Sequence, residues 1–438
     1  MKISLIQLGC PKNIVDGEWV LNQIINAGNT LVPYNKAECV LINTCGFIED
    51  AKKESLDVIA ECIKDKIEGR IKKVVVFGCL SERYREELKK GFPEVDGFFP
   101  LSAIKNAVRM LSESGEKFKK GNLPLEENYE REMRFTPSHY SYIKIGDGCN
   151  HKCTFCAIPS IRGKEKWRKS SSIVRELKFL KDEGVKEAII VAQDTTSYHS
   201  GESSIVDLIK LIEKAESPEW IRLMYLYPTK VTSKFLKAMK NASKILPYFD
   251  IPLQHISKTV LSSMGRAGSY ASYIALVENI RKSFKDSCIR STFIIGFPTE
   301  TRDDFNELKK FLNDAELDNV GFFKYSKEEG TKSFSYKEEI SEDEKEERLS
   351  EIADLQRKIS LKKNRAKVGK KYEVLVDGVC EESDLLCEGR AFFQSPEIDG
   401  KIILNKGEFK IGKFHTVKIM RAFEYDLIGE LCVSKEKV

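Results

Sequence analysis

The sequence predicts an α/β chain of three domains: an N-terminal doubly wound parallel sheet, a central partial (β/α)6 TIM-like barrel, and a small C-terminal antiparallel β-barrel. Three observations predict it. Short aliphatic runs alternate with charged helical patterns from residue 2 to 100; the alternation resumes with a longer period from Tyr140; beyond Gly369 it gives way to short alternating runs punctuated by turn residues. A length of 438 residues suits about three domains at roughly 150 residues each.

The first domain rests on KISLIQLG (2–9), ECVLINT (38–44) and KVVVFG (73–78), each followed by an amphipathic stretch, as expected of strands buried beneath covering helices. It spans 1–115. Residues 112–134 hold eleven charges among Gly and Pro with no apolar period, which reads as a linker or surface excursion. Six strand candidates follow, at 141–146, 187–193, 220–226, 248–253, 289–296 and 319–326, with helical segments such as 172–184 and 303–315 between them. Six units rather than eight make an incomplete barrel over 135–366. Ser341 and Glu344 form a capping-box signature opening a long helix that carries Leu349, Ile352, Leu355 and Ile359 on one face. In the last domain, 367–438, Asp377-Gly378 and Asp399-Gly400 are the strongest hairpin signals.

With 41% hydrophobic and 32% charged residues, the composition is that of a globular chain, and no apolar run approaches the ~18 residues of a membrane helix. The N-terminus MKISLIQLGCPKN is too polar for a secretory signal, so a cytoplasmic location without membrane contact is expected. Thiols stay reduced there, and twelve cysteines then point to metal or redox chemistry rather than a disulfide framework. A net charge of +5 over this length is unlike a dedicated nucleic-acid binder.

Cys149, Cys153 and Cys156 form a C-x3-C-x2-C triplet in IGDGCNHKCTFCAIPSIRG, directly after the first barrel strand. Three thiolates on a glycine-bounded loop can hold a cubane iron-sulfur cluster with one iron left open. Structural zinc is the rival, but it wants four closed ligands, and His151 would have to fold back to supply one. Three ordinary buried cysteines are the bland alternative. Cys10, Cys45 and Cys79 each end a predicted strand of the first domain, and strand ends of an open α/β sheet converge on one crevice. Any one of them could be a small buried hydrophobe. Three in register suggest a second open cluster.

The triplet and its place resemble the radical S-adenosylmethionine (SAM) superfamily over about residues 140–330. That resemblance implies a cluster whose open iron chelates SAM and whose electron yields a 5'-deoxyadenosyl radical. Two cysteine trios in a three-domain chain resemble the methylthiotransferase family over nearly the whole length, with a last domain like its TRAM (OB-like) module. LGCPKN, NTCGFIEDAKKES, VAQDTTSY, DIPLQHIS and GRAFFQSPEIDG look like the branch that modifies ribosomal protein S-twelve, although Thr299 stands where the family usually carries Gly. The resemblance implies two [4Fe-4S] clusters and SAM as cofactors. It implies Cys10, Cys45 and Cys79 as one metal set, Cys149, Cys153 and Cys156 as the other, and Phe155, Gln193, Asp250 and Gly296 as SAM contacts. His255, past a strand end, is either a site residue or a structural histidine.

The implied reaction puts a methylthio group on the β-carbon of an aspartate, using two SAM and a sulfur atom held on the first-domain cluster. No side-chain base usefully removes that unactivated proton, since general base catalysis supplies only ~10²–10⁴-fold, so homolytic abstraction is required. The implied partners are ribosomal protein S-twelve, free or in the small subunit, and an electron donor such as flavodoxin or ferredoxin. Residues 367–438 carry 12 Lys+Arg against 13 Asp+Glu, a net of −1, which disfavours nucleic acid as the primary partner. Glu381, Glu382, Asp384, Glu388, Glu397 and Asp399 suit a basic protein instead, or are solvated loop positions. The same chemistry on a tRNA adenosine is the near alternative, and a non-enzymatic metal scaffold on the ribosome the distant one. The charge run from Lys337 to Arg348 reads as a solvated helix face.

Overall fold

A computed structural model describes residues 1–111, 131–337, 339–381 and 383–432. Most of the expected linker, Glu382 and one residue of the 337–348 charge run lie outside the described residues.

The first domain contains β1 (Lys2–Gln7), α1 (Pro11–Asn26), β2 (Thr30–Leu31), β3 (Cys39–Thr44), α2 (Glu49–Ile67), β4 (Lys73–Gly78), α3 (Cys79–Arg83), α4 (Arg85–Gly91), β5 (Gly97–Phe99) and α5 (Ile104–Leu111). The strands make one parallel sheet in the order β2-β1-β3-β4-β5, with Leu5 opposite Leu41 and Leu41 opposite Val75. β3 is buried along its whole length, which is why its side chains do not alternate in polarity. In this strand order the chain switches direction between β1 and β3, and ligands of such sheets bind in the crevice beyond the strand ends at that switch.

The central domain contains β6 (Tyr140–Lys144), β7 (Gly146–Asp147), α6 (Ile158–Arg162), β8 (Lys166–Trp167), α7 (Ser170–Asp182), β9 (Glu187–Val191), the short pair β10 (His199–Ser200) and β11 (Ser203–Ser204), α8 (Ile205–Lys214), β12 (Trp220–Leu223), α9 (Ser233–Lys240), β13 (Tyr248–Asp250), α10 (Lys258–Ser263), α11 (Tyr270–Ser283), β14 (Cys288–Ile295), α12 (Arg302–Ala315), β15 (Asn319–Lys324) and α13 (Glu342–Arg365). All six expected strands form. β6, β9 and β12 pair in parallel, as do β13, β14 and β15. A parallel bridge from Ile221 to Ile245 joins the halves into an incomplete barrel. Its core is aliphatic and aromatic, including Ile190, Leu223, Phe249, Phe293 and Phe311. α13 packs Ile352 and Ile359 inward. Its cap is only half a box: Ser341 accepts from the Glu344 amide, but the Glu344 carboxylate turns to Arg348. The 337–348 run is not simply a solvated face, since Lys345 and Arg348 are buried and Arg348 pairs with buried Glu300.

The last domain closes as a five-stranded barrel, β16 (Lys371–Cys380), β17 (Ser383–Arg390), β18 (Ile402–Lys406), β19 (Phe414–Ala422) and β20 (Leu427–Leu431), antiparallel apart from the parallel pair β18–β20. Neither Asp-Gly signal makes a hairpin. Asp377-Gly378 lies inside β16 at a register shift, and Asp399-Gly400 ends the long connection from β17 to β18.

Buried ion pairs fasten the domains together. Arg131, expected to be part of a surface excursion, is buried and reaches Glu18 of α1 at 2.6 Å and Glu176 of α7 at 2.7 Å. Lys144, the last residue of β6, pairs with Asp16 of α1. Glu328, past the end of β15, holds Lys52 and Arg83 of the first domain at 3.1 and 2.7 Å. The first domain therefore covers the C-terminal ends of the barrel strands. The last domain meets the opposite end: Arg390 bonds Glu187, the first residue of β9, and Asp399 accepts from Tyr248, the first residue of β13. Glu397 accepts from Tyr140, the first residue of β6.

Candidate active site between two cysteine trios

Cys10 is the N-cap of α1, Cys45 follows β3, and Cys79 follows β4 as the first residue of α3. The sheet thus delivers all three to the crevice beyond β1, β3 and β4. The approach is close enough to exclude side chains. Gly9 has φ +87°, and a Cβ on it would lie 3.0 Å from the Cys45 Cβ and 2.9 Å from Asn13 Nδ2. Asn13, fully buried in the first turn of α1, donates to the Thr44 carbonyl at 3.0 Å, and the Cys79 thiol donates to its Oδ1 at 3.3 Å.

The thiols differ electrostatically. Burial pushes Cys79 up to about 12 and raises Cys45. Burial would raise Cys10 too, but the Lys12 and Arg162 cations and the amides at the start of α1 outweigh it and hold the thiol below its ordinary value.

Cys149, Cys153 and Cys156 lie on the loop between β7 and α6. The loop is fixed at both ends: the Cys149 amide donates to the Gly163 carbonyl at 3.1 Å, and the Thr154 amide to the Met264 carbonyl at 2.9 Å. Gly148, at φ +74°, is required here, because a Cβ would stand 2.2 Å from the Lys164 carbonyl oxygen. The His151 ring stacks on Tyr227 with centroids 3.9 Å apart and bonds Asp194 at 2.7 Å. Arg266 stacks on the same tyrosine and reaches Cys153 Sγ at 3.6 Å. Burial drives Cys156 up to about 12.

Arg162, at the end of α6, ties one trio to the other. Its buried guanidinium donates to Asp16 Oδ2 at 2.9 Å, to both Asp147 oxygens at 3.0 and 3.1 Å, to Asn13 Oδ1 at 2.6 Å and to Cys79 Sγ at 3.4 Å. A residue six positions beyond Cys156 therefore touches a thiol of the other trio. Sequence reasoning missed Arg162 and Asn13 as site residues, although both lie inside the quoted motifs CAIPSIRG and LGCPKN.

The structure distributes the other expected residues unevenly. Phe155 packs on the small cluster of Val260, Met264, Phe297 and Tyr325. Gln193 donates to Asp147 at 3.2 Å, leaving its buried Oε1 without a partner. Asp250 is committed to the protein: Arg290 Nη1 lies 3.2 Å from one oxygen and the Tyr225 amide 3.0 Å from the other. The Gly296 amide donates to Glu300 at 2.9 Å. His255 is fully buried, its Nδ1 accepting from the Ser257 amide and its Nε2 facing the buried Glu300 carboxylate at 3.5 Å. Thr299 Oγ1 is likewise buried without a partner. Of the acidic residues of the last domain, Glu397 and Asp399 are turned onto the barrel base and Glu388 pairs with Lys401, so they do not form one outward face.

The donor sets fit iron-sulfur clusters. Each is three thiols and no carboxylate, softness that suits such clusters. Among the described residues no group of three or more His, Cys, Asp or Glu gathers as a single metal ion would require. A cube carries its thiolates on separate irons and so spreads them more widely. The orphaned Oε1 of Gln193, whose amide bonds Asp147 two residues before Cys149, fits a polar ligand.

Comparison with known proteins gives the chain's family. Residues 143–312 match the radical SAM superfamily, residues 2–100 an uncharacterized protein family designated UPF0004, and residues 368–432 the TRAM domain. The chain is 43% identical to the ribosomal protein uS12 methylthiotransferase RimO of Aquifex aeolicus, covering 98% of this chain and 97% of that one. It is 42% identical to the protein of the same name from Bdellovibrio bacteriovorus, covering 99% and 98%. In fold it is similar to the radical SAM methyltransferase TsrM of Kitasatospora setae bound to tryptophan and a SAM analogue, with a TM-score of 0.55, 13% identity, and 73% and 72% of the two chains covered.

Proposed function

We infer function from a settled premise: the chain belongs to the family of ribosomal protein uS12 methylthiotransferases. It is a radical SAM enzyme that uses two [4Fe-4S] clusters and SAM to methylthiolate uS12, at the β-carbon of an aspartate. Cys149, Cys153 and Cys156 hold the cluster that works on SAM, and Cys10, Cys45 and Cys79 hold the other. Phe155, Gln193, Asp250 and Gly296 belong to the SAM site, Asp250 through the strand end it fixes. When bound, the clusters and SAM supply the sulfur and the homolytic chemistry that no side chain can. The chain's own part is to bring the two thiol sets to one chamber, exclude water from it and hold its cations in place. Arg162, six residues past Cys156 and bonded to Asn13 and to Cys79 of the first set, is the observation that carries this reading.

Domain bounds of 1–115, 135–366 and 367–438 go with this reading. An electron donor such as flavodoxin or ferredoxin would serve it in the cytoplasm; no helix among the described residues is long and apolar enough to cross a membrane. Anaerobically prepared protein should contain about eight irons per chain, two cubes of four. Mixed with SAM, a reductant and uS12, it should yield uS12 heavier by a methylthio group on one aspartate. Cys153→Ala should abolish SAM cleavage, and Cys45→Ala should stop sulfur insertion. Full methylthiolation by Cys45→Ala would overturn the assignment of the first trio, and transfer to tRNA instead of uS12 would overturn the substrate.

A further inference from the structure

We propose that Lys12 binds the side-chain carboxylate of the target aspartate and so sets the enzyme's preference for that residue. The inference rests on aspartate of uS12 being the substrate. Lys12 occupies the second position of α1, two residues past Cys10, and is 7% exposed. Its ammonium lies 3.4 Å from the centroid of the Tyr225 ring. Among the described residues it makes no ion pair or hydrogen bond. The neighbouring cations are all committed to carboxylates: Lys144 to Asp16 and Asp147, Arg162 to the same two, and Arg290 to Asp250 and Asp399. The ammonium has the Tyr225 ring beneath it and feels the Cys10 sulfur, Asp250 and Asp147, yet bonds to no carboxylate among the described residues, so a carboxylate arriving within hydrogen-bond reach would complete it.

The placement is held from below. Tyr225 adopts φ +60°, rare for a tyrosine, with its amide on Asp250 and its carbonyl accepting from the Thr195 amide at 3.0 Å. That conformation presents the ring to the first domain, beneath Lys12 and close to Cys10. The chemistry matches the position. The only polar handle of an aspartate side chain is its carboxylate, one bond from the β-carbon that reacts. Anchoring the carboxylate therefore fixes the reacting carbon, and asparagine, of the same shape, would offer the ammonium a neutral amide oxygen without the compensating charge. The competing role is a counter-charge for the nearby thiolates, which would be indifferent to the substrate's side chain.

The test compares binding, without SAM, of uS12 and of uS12 with the methylthiolated aspartate, located by mass spectrometry, changed to asparagine. Full-length enzyme carrying both clusters is used, with Lys12→Gln and Lys12→Arg matched to it in iron content. The unmodified enzyme should prefer aspartate by about 10- to 100-fold, as for a charge-assisted hydrogen bond shielded from water. Lys12→Gln should shrink that preference to within about threefold, and Lys12→Arg should restore much of it. Full preference in Lys12→Gln, or a loss equal for both substrates, would overturn the proposal. Should Lys12→Gln fail to take up iron, acetylation of the unmodified enzyme decides: at equal occupancy uS12 should shield Lys12 better than its asparagine variant, and equal shielding refutes the idea. Failure of the unmodified enzyme to modify uS12 at all would instead sink the substrate reading beneath it.

Discussion

Replacing Arg162 by Met keeps most of the side-chain stem while removing the charge that spans the two domains. The lost contacts are specific: two carboxylates, one amide oxygen and one thiol, all around a guanidinium that is 1% exposed. Removing one partner of a buried ion pair costs about 3–5 kcal/mol, because the remaining charge is stranded. Lys144 still faces both Asp16 and Asp147, so the lower end, about 3 kcal/mol, is the expectation. That corresponds to about a 100-fold rise in local opening. Amide hydrogen exchange reads it directly. Protection should fall about 100-fold in two segments far apart in sequence, the start of α1 and α6, while β16–β20 stay unchanged. A loss confined to α6, or one below about threefold, would refute the view that Arg162 couples the two thiol sites.

Three further outcomes are expected. Gly9→Ala should destabilise the first domain by about 1–3 kcal/mol and displace Cys45, since φ is +87° and the new methyl would crowd the Cys45 Cβ at 3.0 Å; urea unfolding and thiol-labelling rates check both. Asp377 is half-buried, and the partial loss of water alone would raise its carboxyl, but Arg390 and His139 hold it below the ordinary value. A carboxyl so lowered stabilises fully above the unfolded value near pH 4 and loses that contribution as the pH falls through the folded one, so Asp377→Asn should flatten the acid limb of unfolding of the last domain below about pH 4. Thr301 accepts from the Asp304 amide and Asp304 returns the bond to the Thr301 amide at 2.9 Å, so Thr301→Ala should cost about 1 kcal/mol by thermal unfolding.

Much of the site was legible because a parallel sheet converts sequence position into space. Cys10, Cys45 and Cys79 end β1, β3 and β4, and strand ends of one sheet cannot help converging. The six β/α units were legible for the same reason: apolar runs at even spacing, each followed by an amphipathic helix. Local signals failed where tertiary packing overrides them. Asp377-Gly378 favours a turn, but Asp377 is held in β16 by Arg390 and His139. Asp399-Gly400 favours one too, but its carboxylate is taken by Tyr248 across the base of the central barrel.

Charge was the least legible property, because a charged residue looks solvated until its partner is known. Arg131 stands in a strongly charged stretch and is buried between Glu18 and Glu176, 113 and 45 residues away. Arg348 stands in another and is buried on Glu300. Arg162 meets Asn13 and Cys79 at separations of 149 and 83, distances over which no periodicity or turn rule operates. The same reasoning displaces the acidic residues of the last domain. A near-neutral net charge suggested a face for a basic partner, but Glu397 and Asp399 are turned onto tyrosines at the opposite end of the barrel from the cysteines. Their charges help dock one domain on another. What selects the substrate is therefore to be sought at the covered mouth of the barrel, where Lys12 lies buried against Tyr225 with no carboxylate bonded to it among the described residues.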